Sequence, residues 1–484
     1  MSSTDHLLSD VLVASSGLSP ENSFAPLLWY FEHPLWVREG RAPGNVAHNY
    51  PLPIRIRGAL NRESLEHSLQ EVVRRHSVLR SVFRVVNGEL SQMIMPSQQL
   101  TIPLVDLSDM AEGERQIKAL EIGINDATRP FMLNSGPMLR ARLLRLAPED
   151  HILLLTTHHV VCDDWSTGIL VHELLGIYDA FNARKPSPFP EVSYQYSDFA
   201  RRVHQQLQNK NLESRLAFWN RRLRGASNFH HVVPDHARSI TRTYRGAHER
   251  AIFPQELRNA IELIARSERA TPFMVLLAGL CSLLQCYSGD EDIGVGSCVA
   301  NRPLVQLEGL IGPFANVAVL RTDLSGKPTF REVLRRVREV CLTAYSYQDL
   351  PFGTLLESLQ LTPDSSQNPL FQILFVLLGA LPESWQVPAL TIEPFPLDTG
   401  TTRYELNLWV TMQETFKVDL QYNSDLFQAD SARQIVQDYR MLLETISGNQ
   451  EVRVRDIGIT KRETQLSSNG RRVQDPLAVQ LGSV

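Results

Sequence analysis

Hydrophobic and polar positions along the chain follow strand and helix periods in turn. Leu52–Arg57 alternates as a half-buried strand does, and Asn61 then begins an apolar repeat at helical spacing. Pro137–Leu146 alternates again. The next segment, His151–Val161, is an almost unbroken apolar and β-branched run, which is typical of a central, buried strand. After this strand the pattern predicts a polar turn and a helix that Ser166 caps.

The second half of the chain continues this mixture of helices and strands. A long helical stretch is predicted over Ser197–Leu223. Further helices are predicted at Gln255–Ser267, Phe273–Tyr287 and Phe330–Tyr345, and strands at Ile293–Ala300 and Ala315–Thr322. In the first half, Asn87-Gly88 predicts a hairpin turn. Because both halves mix helices and strands of comparable length, the sequence predicts an α/β fold with two lobes.

Four regions follow from these patterns. Ala183–Pro190 contains three prolines and little apolar character, so it is predicted to separate the two lobes. We expect a flexible tail at residues 1–22, an amino-terminal lobe at 23–185 and a carboxy-terminal lobe at 186–462. Residues 463–484 are polar and are expected to form a tail or linker.

Composition and charge narrow the class of protein. The chain has 484 residues, of which 43% are hydrophobic and 21% charged, as expected of a folded globular protein. Lys and Arg total 48 against 53 Asp and Glu, so no basic surplus exists to bind nucleic acid. The longest apolar stretches, such as Phe273–Leu284, are shorter than the roughly 18–20 residues that a membrane helix needs. No secretory signal is visible, and a cytoplasmic protein without membrane association is predicted.

The segment His158-His159-Val160-Val161-Cys162-Asp163-Asp164-Trp165-Ser166 carries the candidate chemistry. Neighbouring residues on a strand point to opposite faces, so one histidine can reach a substrate while the other packs. This geometry disfavours a metal site, and the five cysteines form no CxxC pair. A free imidazole can accept a proton from an attacking amine or hydroxyl, which suits acyl transfer.

Two questions about this segment stay open on the residues alone. Asp163 could orient the imidazole by a hydrogen bond, or it could be an ion-paired carboxylate that holds the turn in shape, and spacing does not choose. Both histidines could instead be core residues with satisfied hydrogen bonds.

His158–Ser166 resembles the HHxxxDG signature of the condensation domains of nonribosomal peptide synthetases, which belong to the chloramphenicol acetyltransferase-like superfamily. The resemblance continues in the family's order over about residues 49–460. The other matching segments are Arg75–Phe83, Arg129–Phe131 with Gly136–Arg140, Tyr196–Ala200, Tyr347–Phe352 and Asn368–Gln372. It implies two acetyltransferase-like lobes that form a V-shaped pseudo-dimer with a central channel.

The resemblance also implies roles for individual residues. His159 would be the catalytic residue, either as general base or as the group that positions the acceptor amine, and His158 would support it. Asp163 would be structural and paired with Arg302, which ends a segment similar to the family's GxPVAxR. Asp164 stands where the motif has glycine, so it places a side chain close to the expected position of the thioester carbonyl.

The function implied is amide bond formation between a donor thioester and an aminoacyl acceptor. No bound cofactor, nucleotide or metal would be needed, because both substrates arrive on phosphopantetheine arms. The partners implied are donor and acceptor carrier proteins, with an adenylation domain as a further candidate. The subclass most similar to this chain joins an L-configured donor to an L-configured acceptor. The alternatives are a stand-alone, ester-forming acyltransferase and a non-catalytic domain that recruits carriers or tailoring enzymes.

Overall fold

The computed structural model describes residues 23–24, 46–86, 89–96, 99–207, 211–226, 229–361, 364–379 and 384–459. The expected tails at 1–22 and 463–484 lie outside these residues, as does the expected turn at Asn87-Gly88. The strands on either side of that turn do pair with each other.

The strands of the described residues are numbered in chain order. They are β1 (Ser23–Phe24), β2 (Asn49–Gly58), β3 (Ser81–Val86), β4 (Glu89–Ile94), β5 (Leu104–Asp106), β6 (Leu139–Ala147), β7 (Asp150–His158), β8 (Gly246–Phe253), β9 (Asp292–Val299), β10 (Asn316–Asp323), β11 (Ile373–Leu378), β12 (Trp385–Val387), β13 (Leu390–Pro394), β14 (Leu406–Met412) and β15 (Phe416–Asn423).

The α-helices of the described residues alternate with these strands. They are α1 (Arg62–Arg75), α2 (Glu112–Ala127), α3 (Asp164–Asn182), α4 (Tyr196–Leu207), α5 (Asn211–Arg222), α6 (Gln255–Ser267), α7 (Pro272–Ser288), α8 (Phe330–Tyr345), α9 (Phe352–Leu359) and α10 (Ala429–Gly448). The predicted helices at 255–267 and 330–345 have the bounds expected. The stretch predicted as one helix over 197–223 contains two, α4 and α5.

Two six-stranded sheets form the frame of the molecule. The first has the order β12-β13-β2-β7-β6-β5, and the second has the order β10-β9-β11-β14-β15-β8. Strand β11 runs parallel to both of its neighbours, while the other pairs of the second sheet are antiparallel. Each sheet lies against helices and has its own large hydrophobic core. The prediction of an α/β fold with two lobes is therefore confirmed.

Strand β7 is the central buried strand that the sequence predicts, and it is shorter than expected. It pairs antiparallel with β2 on one side and β6 on the other, and its residues from His151 to His158 are buried. The strand ends at His158 because the chain then turns. The His159 amide donates to the carbonyl of His48, and the Val161 amide donates to the carbonyl of His158.

Parts of the second half of the chain complete the first lobe. Strands β12 and β13 extend the first sheet, where Ile392 of β13 pairs with Ile56 of β2. Helix α4 and the segment 307–314 also contribute to the hydrophobic core of the first lobe. The range 186–462 therefore supplies residues to both sheets and does not build a single lobe.

Helix α3 begins at Asp164 and not at the residue predicted as its cap. Asp163 is the cap, because its side chain accepts a hydrogen bond from the amide of Ser166. The prediction that Ser166 caps the helix is therefore wrong. A carboxylate placed one residue before the first turn satisfies an amide that the helix itself leaves free.

Helices α6 and α7 are the most apolar consecutive pair. No single helix among the described residues has the length and apolar character to cross a membrane, and this pair passes such a test only together, with a bend of 105° between its members. In the structure, α7 lies almost entirely within the core of the second lobe.

Candidate functional site

The two histidines at the end of β7 have different surroundings. His158 is buried, its Nδ1 accepts a hydrogen bond from the Val160 amide at 3.2 Å, and its ring contacts the edge of Phe131. His159 is half-buried and lies in the turn that follows the strand. One histidine therefore packs in the interior, and the other reaches the surface of the turn.

The ring of His159 contacts the ring of Tyr50 edge-on, with 5.8 Å between the ring centroids. Burial lowers the pKa of His159 well below its ordinary value of 6.5, and the positive charge of Arg403 and the neighbouring His48 lower it further. The imidazole is therefore neutral at neutral pH. A neutral ring can accept a hydrogen bond or a proton from an amine.

Asp163 is the centre of a dense set of hydrogen bonds. Its carboxylate accepts from the amides of Ser166 at 2.8 Å and of Phe314 and Ala315 at 3.0 Å. Arg302 Nη2 lies 3.2 Å from Oδ1, and both side chains are 2% exposed. The structure thus pairs Asp163 with Arg302, as the family resemblance implied. A carboxylate with these partners is buried at little net cost.

Arg302 and Ser166 connect the turn to the second half of the chain. Arg302 donates to the carbonyls of Leu307 and Leu310, and its guanidinium lies 4.0 Å from the centroid of the Phe314 ring. The hydroxyl of Ser166 accepts from the Gly312 amide at 3.0 Å and lies 2.6 Å from Asp163 Oδ1. These bonds fasten the loop at 302–315 onto the turn that presents His159.

A second buried network fastens the same loop. Arg75 donates to both carboxylate oxygens of Glu173, at 2.9 and 3.0 Å. His76 Nδ1 accepts from the Ile311 amide, so its Nε2 carries the proton and donates to Glu173 at 3.0 Å. Burial alone would raise the pKa of Glu173, but the hydrogen bonds from His76 and Arg75 lower it to about 2. Glu173 is therefore ionised whenever the protein is folded near neutral pH.

Asp164 has few partners compared with Asp163. It is the first residue of α3, where its backbone is helical, and the hydroxyl of Tyr50 donates to its Oδ1. Burial raises the pKa of Asp164, and the charge of Arg403 partly opposes this rise. The residue that replaces the glycine of the motif is accommodated without a left-handed backbone.

A cavity of about 840 Å³ lies between the two sheets, beside this turn. Tyr50 and Asp164 line it from the first lobe, and Leu378 and Trp409 line it from the second. The remaining lining residues are Trp165, Thr167, Gly168, Ile169, His172, Glu173, Phe189, Glu308, Gly309, Gly379, Pro394, Thr411 and Lys417. His159 adjoins the cavity through Tyr50, since the Tyr50 side chain contacts both.

Sequence reasoning missed Tyr50 and Arg403. Tyr50 pairs with Thr157 across the first sheet, and Arg403 precedes β14 of the second. No pattern around either residue marks it, because each reaches the site only through long-range pairing. A strand register between 49–58 and 150–158 would have identified Tyr50. Among the described residues, no three His, Cys, Asp or Glu side chains are grouped to hold a metal ion.

Two lobes that share a cavity, with an HHxxxD turn beside it, define the chloramphenicol acetyltransferase-like class of acyltransferases. The model of the condensation-domain family matches residues 33–466, and the chain belongs to this family. It is similar to a linear gramicidin synthase of Brevibacillus parabrevis, with 37% identity over 433 residues. That match covers 89% of this chain and 6% of the synthase, so the chain spans a small part of that relative's length.

Solved structures show the same fold. The X-domain from teicoplanin biosynthesis has a TM-score of 0.79 and 25% identity, over 90% of this chain and 98% of that one. The first condensation domain of the calcium-dependent antibiotic synthetase, in complex with a substrate analogue, has a TM-score of 0.73 over 88% and 96% of the two chains. At 17% identity this second likeness concerns the fold alone.

The resemblance to condensation domains is thus confirmed. These are acyltransferase-type enzymes of nonribosomal peptide synthetases, and the reaction of the family is amide bond formation. The ester-forming acyltransferase and the non-catalytic recruitment domain are not favoured. The L-donor and L-acceptor subclass stays a prediction.

Proposed function

We propose that this chain joins a carrier-bound acyl or peptidyl donor to a carrier-bound aminoacyl acceptor, with His159 as the catalytic residue. The observation that carries the proposal is the position of His159, beside a cavity lined by both lobes and in contact with Tyr50 of its wall. Such a cavity can hold the ends of two substrate arms together. The proposed partners are a donor and an acceptor carrier protein, with an adenylation domain to load them.

The reaction requires alignment and the transfer of one proton. The amine nitrogen of the acceptor attacks the thioester carbonyl, the new C–N bond forms, and the C–S bond breaks. The amine loses a proton, and the departing thiolate gains one. Because a thioester is already activated, holding the two groups in contact supplies much of the rate enhancement.

His159 suits a positioning role in this reaction. Its lowered pKa leaves the imidazole neutral, so it is ready to accept the N–H of a bound amine. The same shift makes it a weaker base than a free histidine, which favours hydrogen bonding to the amine over full removal of a proton from an ammonium group. The main-chain bond from His159 to His48 fixes the turn that carries the ring.

Asp163, Arg302, Ser166 and His158 support the catalytic residue without facing the substrate. Asp163 and Arg302 are almost fully buried, and with Ser166 they fasten the turn to the opposite lobe. His158 occupies the interior side of the strand end. We therefore assign these residues to the shape of the turn and not to the chemistry.

A carrier-loaded assay tests the proposal. Donor and acceptor carriers are charged with peptidyl and aminoacyl pantetheine groups, and amide product is measured by mass spectrometry. The His159→Ala variant should lose at least about 100-fold in rate while its circular dichroism stays native. His236→Ala, which changes an exposed histidine outside the cavity lining, is the matched control and should retain the rate. Full turnover by the His159 variant would refute the assigned role.

A further inference from the structure

Asp164 places a carboxyl group on the wall of the cavity, at the first residue of α3. Tyr50 donates to Oδ1, and no hydrogen bond joins Oδ2 to another residue within the part of the chain that the structure describes. Oδ2 can therefore accept a hydrogen bond from a molecule in the cavity. The amino end of a helix also stabilises a negative charge at this position.

The charges around Asp164 matter for what can bind there. The positive charge of Arg403 lowers the pKa of both His159 and Asp164, so it acts on both sides of Tyr50. An α-amino group carries a positive charge over much of the neutral range. Near His159, such a cation would meet the charge of Arg403 unless a carboxylate offset it. A hydroxyl group carries no charge and gains nothing from the carboxylate beyond a neutral donor's bond.

We propose that Asp164 is a specificity-determining residue that binds the ammonium form of the acceptor and favours amine over alcohol acceptors. The inference rests on the proposed function, since it concerns the acceptor of that reaction. The contact is a charge-assisted hydrogen bond from the ammonium group to Oδ2, with Tyr50 holding the other oxygen in place. Residues of the family motif supply no such group, because the motif has glycine at this position.

Two acceptor analogues of nearly equal size separate amine from alcohol. Alanyl-pantetheinamide carries an ammonium group, and lactoyl-pantetheinamide carries a hydroxyl in its place. Both have an amide instead of a thioester, so neither reacts. Calorimetric titration of the full chain near pH 7 should show about tenfold tighter binding of the alanyl analogue.

Substitutions at Asp164 assign this preference to the carboxylate. Asp164→Asn should bind the two analogues about equally while keeping the shape of the wall. Asp164→Gly, which restores the residue of the family motif, should do the same. Asp179→Asn removes an equal charge from the exposed face of the same helix and should keep the preference.

Three results would overturn the inference: equal affinities in the wild type, no binding of either analogue, or a preference retained by Asp164→Asn. Its failure can be told apart from failure of the proposed function. Loss of amide product in His159→Ala, together with an unchanged preference in Asp164→Asn, would refute only the role of Asp164. A preference for the alanyl analogue in a wild-type chain that forms no amide would refute only the proposed reaction.

Discussion

Asp163 and Asp164 are the same residue type at consecutive positions, and the fold treats them in opposite ways. Asp163 is 1% exposed, and its carboxylate accepts three main-chain hydrogen bonds and lies against Arg302. Asp164 points to the cavity wall with one hydroxyl donor, from Tyr50. The chain direction changes between them as α3 begins, so one side chain enters the interior and the other reaches the cavity.

The contrast separates support from recognition within a single turn. A buried carboxylate with a full set of donors is rigid, and it costs little as long as every partner is present. A carboxylate that burial penalises and that keeps an oxygen open can gain from a ligand. The same division applies to His158, which packs in the interior, and His159, which adjoins the cavity.

Removing the partner of Asp163 should have the largest effect. Arg302→Ala leaves a buried carboxylate without its counter-ion and frees the loop at 302–315. We expect a loss of about 3–5 kcal/mol in the free energy of unfolding, measured by urea denaturation. Arg335→Ala breaks an exposed ion pair with Glu339 and should cost less than about 1 kcal/mol. Equal losses in the two variants would show that the Asp163 network does not support the fold.

The sequence predicted the support better than the cavity. The pairing of Asp163 with Arg302 followed from the family resemblance, although 139 residues separate the two. The partners of Asp164 did not, because Tyr50 and Arg403 arrive from other strands and loops. Strands β12 and β13 were also missed. They have three and five residues, and their place beside β2 depends on a pairing that no local pattern specifies.

The next largest effect concerns His159 and pH. The folded protein holds the pKa of His159 well below 6.5, so below that pH the unfolded chain binds more protons than the folded one. Stability should therefore fall as the pH drops from 6.5, by up to about 1.4 kcal/mol per pH unit for this group. Urea denaturation of the wild type and of His159→Gln from pH 5 to 8 measures the difference, in which other groups cancel. Parallel curves would contradict the shift.

Asp164→Asn should have the opposite sign. Burial raises the pKa of Asp164, so the folded state binds more protons than the unfolded state above the ordinary value of 3.8. Wild-type stability from this group is present below 3.8 and is lost as the pH rises through the raised pKa. The variant lacks this loss and should be about 1 kcal/mol more stable than the wild type at pH 7. Thermal denaturation at pH 4 and 7 checks this, and an advantage that does not grow with pH would contradict it.

Tyr50→Phe should have the smallest effect, and it tests whether the phenol stabilises the carboxylate of Asp164. The variant keeps the ring against His159 but removes the only donor that the described residues give to Oδ1 of Asp164. We expect a loss of about 0.5–1.5 kcal/mol at pH 7, as for one hydrogen bond. In an Asp164→Asn background the loss should be smaller, because the acceptor is then neutral. Tyr194→Phe, a half-buried tyrosine outside the cavity lining, is the control. An equal loss in both backgrounds would mean that Tyr50 acts through packing alone, and the open oxygen of Asp164 would then lack the fixed orientation that recognition of an amine requires.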